Sequence, residues 1–443
     1  MPRNIFLSFL GTSDYKPCTY FSPDGFQKAD TRFIQEALIE WRCSQWTDND
    51  LVVIFLTDDA LKKNWENDGH SSAMGSSSGC MGLRQCLEEM KLSAPVQPVR
   101  IQGGKSEAEI WDIFERVYSV LNPGDQVVMD ITHAFRSIPM LAIVLLNYAK
   151  ALKQISIAGI HYGAFEVLGN PFTVEKMPLA ERRAPIFDLT AFDSLMSWST
   201  GVDRFLSAGD ATPIGKLARQ NIQPILARSK GKDEAAKEIR GVAKAVEEFS
   251  LVLSTCRGKD ISPCAGRLKS RVNRCMQFDV IKPFKPILQT LSENMALFPG
   301  ETLSDGIRAA EWCLNHNMIQ QGYTILKEAV ITWVAGLDAH EKPGLTEIDI
   351  RDIVSSAIHI AQKNTPERKW KHAAKENPEI TRRYIDICRQ YGKLMELYAN
   401  LTDFRNDLNH AGYSKSPKPY ETIIKKLGEF VSEAKALIPV ELL

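Results

Sequence analysis

The sequence predicts an α/β fold followed by an all-α fold: a Rossmann-like domain with a parallel sheet, and then a helical domain. Over the first 165 residues, short apolar runs rich in β-branched residues alternate with longer segments of helical periodicity, as in doubly wound sheets. From about residue 187 the strand signals almost vanish and long helical segments follow. We therefore divide the 443 residues into a sheet domain over 1–185 and a helical domain over 186–443.

The predicted strands are largely apolar on both faces, as parallel strands covered by helices on both sides must be. They lie at 4–12, 51–57, 96–101, 126–132 and 155–163. The helices predicted between them lie at 31–42, 80–91, 107–121 and 137–152. The segment 185–210 begins extended and then becomes amphipathic, so it carries the chain into the helical domain. The clearest helices there lie at 234–253 and 323–337.

Composition argues against several classes of protein. The 54 basic and 54 acidic side chains cancel, so any binding to nucleic acid needs a local basic surface. Nine cysteines without a CxxC pair fit reduced thiols better than a disulfide framework or a zinc site, and we expect no metal. The N-terminal apolar run is too short for a signal peptide and no apolar segment is long enough to cross a bilayer. We therefore expect a cytoplasmic protein with no membrane partner.

Two strand ends carry groups suited to a phosphate or a ribose. Ligands of open parallel sheets bind beyond the carboxyl ends of the strands. The first strand ends in Gly11, Thr12 and Ser13, which expose backbone N–H groups and two hydroxyls. The GxGxxG fingerprint is missing there, which disfavours a nicotinamide dehydrogenase.

The fourth strand ends in the stretch 130–137, directly before a predicted helix N-terminus. Thr132, Arg136 and Ser137 could face an anion there, and Arg136 is the better candidate for ligand contact. Asp130 is better suited to a structural role, because a carboxylate would repel a phosphate. The alternative is that Asp130 and His133 only hydrogen-bond the strand end to its loop.

Near the C-terminus, the stretch 401–412 combines an apolar helix face with an arginine and a histidine. Arg405, Asn406 and His410 fall off the apolar stripe of this helix. A guanidinium can stabilise the negative charge on a pentacoordinate phosphorus, and an imidazole can move a proton to or from the attacking or leaving oxygen. These are the groups that RNA cleavage by the 2′-hydroxyl needs without a metal. One such histidine per chain is sparse, so we predict a dimer with a composite site.

The spacing alone is weak support for catalysis. By composition, an arginine followed after four residues by a histidine should occur by chance in about one chain of this length in three. A histidine near a helix C-terminus is also favoured by the helix dipole without any catalytic role. The pattern occurs once in the sequence, however, since no other arginine precedes a histidine with four to six residues between them.

Three motifs together resemble a known family, the CRISPR-associated CARF-HEPN ribonucleases of type III systems. "FLSFLGTSDYKPCTYF" (6–21) resembles the opening strand and loop of one CARF branch. "DITHAF" (130–135) resembles the D-x-T-H-G motif of that branch, with Ala134 in place of the glycine. "RNDLNH" (405–410) matches the HEPN pattern, and 313–334 is similar to the helix that precedes this pattern.

The resemblance implies a ligand-gated ribonuclease in antiviral defence. Cyclic oligoadenylate, with cyclic tetra-adenylate as the first choice and cyclic hexa-adenylate as the second, would bind across a CARF homodimer. The HEPN dimer, or a higher oligomer, would then cleave single-stranded RNA. Arg405 and His410 would be catalytic, with Asn406 as a supporting polar residue. The residues implied in the nucleotide site are Gly11, Thr12, Ser13, Thr132, His133 and Arg136.

Two rival functions stay open at this point. The chain could be a cyclic-oligoadenylate sensor whose helical domain regulates a partner and cuts nothing, or a ring nuclease whose helical domain only dimerises it.

Two further features could have a functional role, but a structural role is the more common one for each. Glu328 could orient Arg405, but an exposed helix glutamate is the more common outcome. The basic segment 257–285 could guide RNA, although a charge run is more often a solvated face.

Overall fold

The sheet domain and the helical domain form two separate compact units in a computed structural model of the chain. The structure describes residues 2–70, 80–133, 138–278, 285–298, 300 and 302–438. One unit comprises Met1–Ser194 and the other Leu195–Leu443. The predicted fold class is thereby confirmed.

The first unit is built on one eight-stranded, mostly parallel sheet. The strands are β1 (Asn4–Leu10), β2 (Cys18–Phe21), β3 (Gln27–Thr31), β4 (Leu51–Leu56), β5 (Val96–Arg100), β6 (Gln126–Asp130), β7 (Ser156–Gly163) and β8 (Arg183–Asp188). Their order in the sheet is β3-β2-β8-β7-β6-β1-β4-β5. Strands β1, β4, β5, β6 and β7 pair in parallel, as predicted, and β2 pairs in parallel with β8.

The three strands that the sequence did not predict lie together at one end of the sheet. β2 and β3 form an antiparallel hairpin, and β8 runs antiparallel to β7. β3 is polar and mostly exposed, so it lacks the apolar character of a buried parallel strand. β8 crosses the predicted domain boundary between residues 185 and 186, because the sheet continues past Pro185. The observed division falls later, between Ser194 and Leu195.

Helices pack on both faces of the sheet, because the central strands are apolar on both sides. Separate groups of buried side chains cover the two faces, one including Phe6 and Leu38 and the other including Leu7 and Leu145. The helices of this unit are α1 (Ile34–Cys43), α2 (Asp58–Ala60), α3 (Leu83–Glu89), α4 (Glu107–Ser119), α5 (Ile138–Lys153) and α6 (Pro171–Lys176). α7 (Thr190–Ala208) begins at the end of this unit.

The second unit is helical in all of its described secondary structure and has one core that includes Phe249, Tyr323 and Leu401. Among the described helices, none combines the length and the apolar character needed to cross a membrane. After α7, the helices are α8 (Thr212–Leu217), α9 (Gln223–Arg228), α10 (Glu234–Ser254), α11 (Ile261–Cys275), α12 (Lys285–Met295), α13 (Thr302–Asn315), α14 (Ile319–Gly336), α15 (Glu347–Lys363), α16 (His372–Glu376), α17 (Pro378–Gln390), α18 (Gly392–Asn409) and α19 (Tyr420–Leu437).

Candidate functional site

A cavity of about 240 Å³ lies beyond the carboxyl ends of four adjacent strands of the sheet, β6, β1, β4 and β5. The strand order reverses direction between β1 and β6, which makes this the switch point where ligands of open α/β sheets bind. Arg136 and Ser137, both predicted for this site, lie outside the described residues. The cavity is lined by Phe9, Leu10, Gly11, Thr12, Ser13, Tyr15, Thr57, Ile101, Thr132 and His133.

The loop after β1 is held in shape by two side chains. Asn64 Nδ2 donates hydrogen bonds of 2.9 Å to the backbone oxygens of Gly11 and Ser13. A Cβ atom at position 11 would collide with the hydroxyl of Tyr15, so glycine lets this aromatic ring pack against the loop. The backbone of the loop is therefore fixed at the cavity wall, as a binding site requires.

Asp130 is a structural residue at the end of β6. Its carboxylate accepts a 2.6 Å hydrogen bond from Ser8 Oγ and a 2.9 Å bond from the backbone N–H of Thr132. Burial raises the pKa of this carboxyl, while the hydrogen bonds from Ser8 and Thr132 oppose the rise. The hydroxyl oxygen of Thr132 accepts a 2.8 Å hydrogen bond from the backbone N–H of Gly163. Thr132 thus lines the cavity while tying β6 to β7.

His133 is half-buried, with its ring stacked on that of Tyr15 at 4.2 Å between the ring centroids and 28° between the planes. Burial lowers the pKa of His133 to about 4, so the imidazole is neutral at physiological pH. Within the described residues, its buried Nε2 atom has no hydrogen-bond partner. His133 can therefore offer a ligand a hydrogen bond but no positive charge.

In the second unit, the arginine–histidine motif occupies the last turn of α18 and the residue that follows it. Arg405 is half-buried, whereas Asn406 and His410 are exposed. The side-chain amide of Asn409 lies 3.1 Å from Arg405 Nε and 3.2 Å from Nη1, so its oxygen can accept a hydrogen bond from the guanidinium when the amide is turned toward it. In the other orientation that oxygen accepts a 3.1 Å hydrogen bond from Gln320 Nε2. Asn406 and His410 lie four residues apart and so face the same side of the helix. The backbone N–H of His410 donates a 3.0 Å hydrogen bond to the oxygen of Asn406.

The loop after the motif is fixed by Asp407, a buried residue of the same helix turn. Its carboxylate accepts hydrogen bonds from Ser414 Oγ at 2.7 Å and from the backbone N–H of Lys418 at 3.1 Å. These bonds lower the pKa of Asp407. Ala411 and Gly412 adopt positive φ angles of 53° and 75°, so the chain leaves the helix directly after His410. The imidazole is therefore presented at a sharp, anchored turn.

Glu328 does not pair with Arg405. Its carboxylate forms a 2.6 Å ion pair with Arg351 Nη2. In the basic segment, Arg267 and Arg271 form ion pairs with acidic side chains of α10, which is consistent with a solvated face.

Three residues with structural roles at these sites were not assigned by sequence reasoning. Tertiary packing brings Tyr15 and Asn64 into contact with residues predicted for the nucleotide site. The sequence carries no local signal for either contact. Asn409 stands four residues after Arg405, and this helical spacing could have predicted the contact. Within the described residues, no group of histidine, cysteine and acidic side chains is arranged to hold a metal ion.

Comparisons with known proteins support the class predicted from sequence. No protein-family model matches the chain. CRISPR-associated protein MJ1674 of Methanocaldococcus jannaschii is 22% identical over 319 residues, which are 71% of this chain and 42% of that protein. The chain thus matches less than half the length of this relative. Over its matched part, the chain is thus similar to a CRISPR-associated protein.

One solved structure is similar over nearly the whole chain. It is Enterococcus italicus Csm6 bound to cyclic hexa-2′-fluoro-hexa-dAMP, with a TM-score of 0.42 and 11% identity. The match covers 99% of this chain and 94% of that chain.

Proposed function

We propose that the chain is a metal-independent endoribonuclease, activated by cyclic oligoadenylate, that cleaves single-stranded RNA in type III CRISPR antiviral defence. The observation that carries this proposal is the arrangement at the end of α18. There Arg405 is braced by Asn409, and an exposed His410 stands at an anchored turn.

The proposed reaction is an attack by the 2′-hydroxyl of a ribose on the adjacent phosphorus. The new O–P bond forms as the bond to the 5′-oxygen of the next nucleotide breaks, which leaves a 2′,3′-cyclic phosphate and a free 5′-hydroxyl. Arg405 stabilises the additional negative charge on the pentacoordinate phosphorus. His410 takes the proton of the attacking hydroxyl or supplies one to the leaving oxygen. The second proton transfer falls to the same residues of a second copy, so we propose a homodimer as the active unit.

The cavity at the sheet switch point is the proposed activator site. Its loop supplies backbone N–H groups and the hydroxyls of Thr12 and Ser13 to phosphate or ribose. Its volume of about 240 Å³ is less than the roughly 300–1,000 Å³ that sites for drug-sized ligands usually have. A whole cyclic oligoadenylate would therefore have to extend beyond this cavity, and we propose that it binds across two copies.

The test is to incubate the purified full chain with labelled single-stranded RNA, with and without cyclic tetra-adenylate or cyclic hexa-adenylate. An Arg405→Ala/His410→Ala variant and a chelator arm run beside it. We expect cleavage that depends on one of the two activators, persists with chelator and is lost in the variant. No activator-dependent cleavage, or a variant that cuts as well as the parent, contradicts the proposal. Loss of the activator over time in both proteins, without RNA cleavage, indicates a ring nuclease instead.

A further inference from the structure

A groove of about 770 Å³ in the second unit reaches Asn406, four residues before the proposed catalytic histidine. One side of the groove is formed by Ala399, Thr402 and Asn406 of α18. These residues follow one another at steps of three and four, so they share one face of the helix. His410 is the next residue on that face. The groove is therefore continuous with the exposed side of the arginine–histidine motif.

The groove is strongly basic, in a chain whose net charge is zero. Four lysines line it, and Asp403 is the single carboxylate among the lining residues. Asp403 forms a 2.6 Å ion pair with Lys418, which offsets its charge. Within the described part of the chain, the four lysines form no ion pair with any carboxylate. They are Lys327, Lys363, Lys369 and Lys371.

Two of these lysines stand on a loop that the fold holds rigidly. Lys369 and Lys371 flank Trp370, whose side chain is buried. Trp370 Nε1 donates a 3.1 Å hydrogen bond to the backbone oxygen of Thr365, and the Thr365 N–H donates one of 3.1 Å to Ile360. The loop backbone is therefore fixed while the two ammonium groups extend to solvent, which lowers the entropy lost when they bind an anion.

We propose that this basic groove, lined by Lys327, Lys363, Lys369 and Lys371, binds the phosphates of the single-stranded RNA on one side of the cleavage point. The inference rests on the ribonuclease function proposed above and adds the path of the substrate. Four ammonium groups without a carboxylate partner in one groove match the regular charges of a phosphodiester chain. That of Lys327 lies over the ring of Tyr398, 5.3 Å from its centroid. The hydroxyls of Ser356 and Thr365 also line the groove and can bond to phosphate or to the ribose 2′-hydroxyl.

The lysines act as positioning residues and stand apart from the bond changes. Their contacts hold the RNA equally in the bound state and in the transition state, so their loss raises KM and leaves kcat little changed. A structural role in folding would instead lower the amount of active protein and therefore the apparent kcat.

The groove is tested with the full chain carrying Lys363→Glu/Lys369→Glu/Lys371→Glu. Its matched control is Lys216→Glu/Lys232→Glu/Lys244→Glu, which changes the net charge equally at exposed lysines that do not line the groove. A Lys363→Arg/Lys369→Arg/Lys371→Arg variant keeps the charge. RNA binding is measured by fluorescence anisotropy with a labelled 20-nucleotide RNA at several salt concentrations, in a His410→Ala background so that no RNA is cut.

We expect the groove variant to bind RNA on the order of tenfold more weakly, with the control and the arginine variant close to the parent. The slope of log affinity against log salt should fall in magnitude by about 2, since each single-strand phosphate contact contributes about 0.7. In the active background, KM should rise by the same factor. Equal binding by the groove variant and the parent, or an equal loss in the control, overturns the proposal.

The failure of the groove and the failure of the nuclease proposal are separable. RNA binding that depends on the groove lysines, without any cleavage by the activated parent, contradicts the nuclease function and supports the groove. Activated cleavage by the parent, together with an unchanged KM in the groove variant, supports the nuclease function and contradicts the groove. Absence of RNA binding by the His410→Ala chain also overturns the groove assignment.

Discussion

Arg405 and Asn409 lie one helical turn apart on α18, with the Asn409 amide 3.1 Å from Arg405 Nε and 3.2 Å from Nη1. When the amide oxygen is turned toward the guanidinium it accepts a hydrogen bond from it, which gives the remaining N–H groups of Arg405 a defined direction. Asn409 is therefore a positioning residue for the proposed catalytic arginine.

Asn409→Ala should lower kcat for RNA cleavage by roughly ten- to a hundredfold with little change in KM, because misplacing a catalytic group slows the chemical step. Steady-state kinetics with saturating activator measure this. Asn400→Ala, at an exposed asparagine of the same helix, is the matched control and should retain the parent rate. The positioning role is wrong if Asn409→Ala alters KM alone, or if both variants lose the same activity.

His410→Ala should lower the cleavage rate by about a hundred- to ten-thousandfold, the usual contribution of a general acid or base. Arg405→Lys keeps the positive charge but replaces the planar guanidinium with a single ammonium, so we expect a loss on the order of a hundredfold. Single-turnover rates and thermal unfolding are measured for both variants. Near-parent rates for either one, in a folded protein, would remove that residue from the chemistry.

Gly11→Ala should weaken binding of cyclic oligoadenylate, because its Cβ meets the Tyr15 hydroxyl and displaces the ring or the loop. Tyr15→Phe removes that hydroxyl, and the nearest remaining atoms lie 3.5 Å from the added Cβ, an ordinary contact distance. The double variant should therefore recover much of the lost affinity. Isothermal titration calorimetry measures the affinity of Gly11→Ala and of the double variant for cyclic tetra-adenylate and cyclic hexa-adenylate. Additive losses in the double variant would contradict the steric explanation.

Asp338→Asn should make the stability of the second unit less dependent on pH. Burial alone would raise the pKa of Asp338, but hydrogen bonds from His340 and Arg383 and the charge of Lys342 lower it to about 2. A folded pKa below the unfolded value near 4 contributes stability above about pH 4 and loses it as the pH falls toward 2. The variant should be less stable by about 2 kcal/mol at pH 7, from this pKa difference of roughly two units.

Urea unfolding between pH 2 and pH 7 measures this difference in the free energy of unfolding. The gap between parent and Asp338→Asn should narrow as the pH falls below about 4. Asp352→Asn, at an exposed aspartate of α15, serves as the control and should show no such narrowing. A gap that stays constant across the whole range would contradict the ionic origin of the effect.

The sequence predicted the parts of the fold that depend on local pattern. Five central strands were found because apolar residues on both faces mark buried parallel strands. The convergence of the loops after β1 and β6 follows from the same pattern, since carboxyl ends of parallel strands share one edge. The hairpin of β2 and β3 was missed because polar edge strands resemble loops in a single sequence. The contacts of Tyr15 and Asn64 with the first loop depend on tertiary packing and have no local signal.

At the arginine–histidine motif, the sequence again predicted the features that depend on local spacing and missed those that depend on tertiary packing. Helical spacing predicted that Asn406 and His410 lie on the same side of one helix. In the structure α18 ends at Asn409, and His410 is the residue directly after it. The anchoring of the following turn by Asp407 and Ser414 depends on a chain reversal that periodicity cannot show. The lysines of the basic groove come from α14, α15 and the loop between α15 and α16, so they are widely separated in the sequence.

The two outermost strands of the sheet have a consequence for how copies of the chain can assemble. β3 is short and polar, and β5 carries Pro98, which has no N–H to offer a further strand. Neither edge strand favours the addition of further strands, which is the route by which sheets grow into ribbons and fibres. Self-association through this sheet is therefore disfavoured as an open-ended process. Pairing through helical surfaces can close after two copies, and a closed pair is the form that a shared activator and a composite nuclease site require.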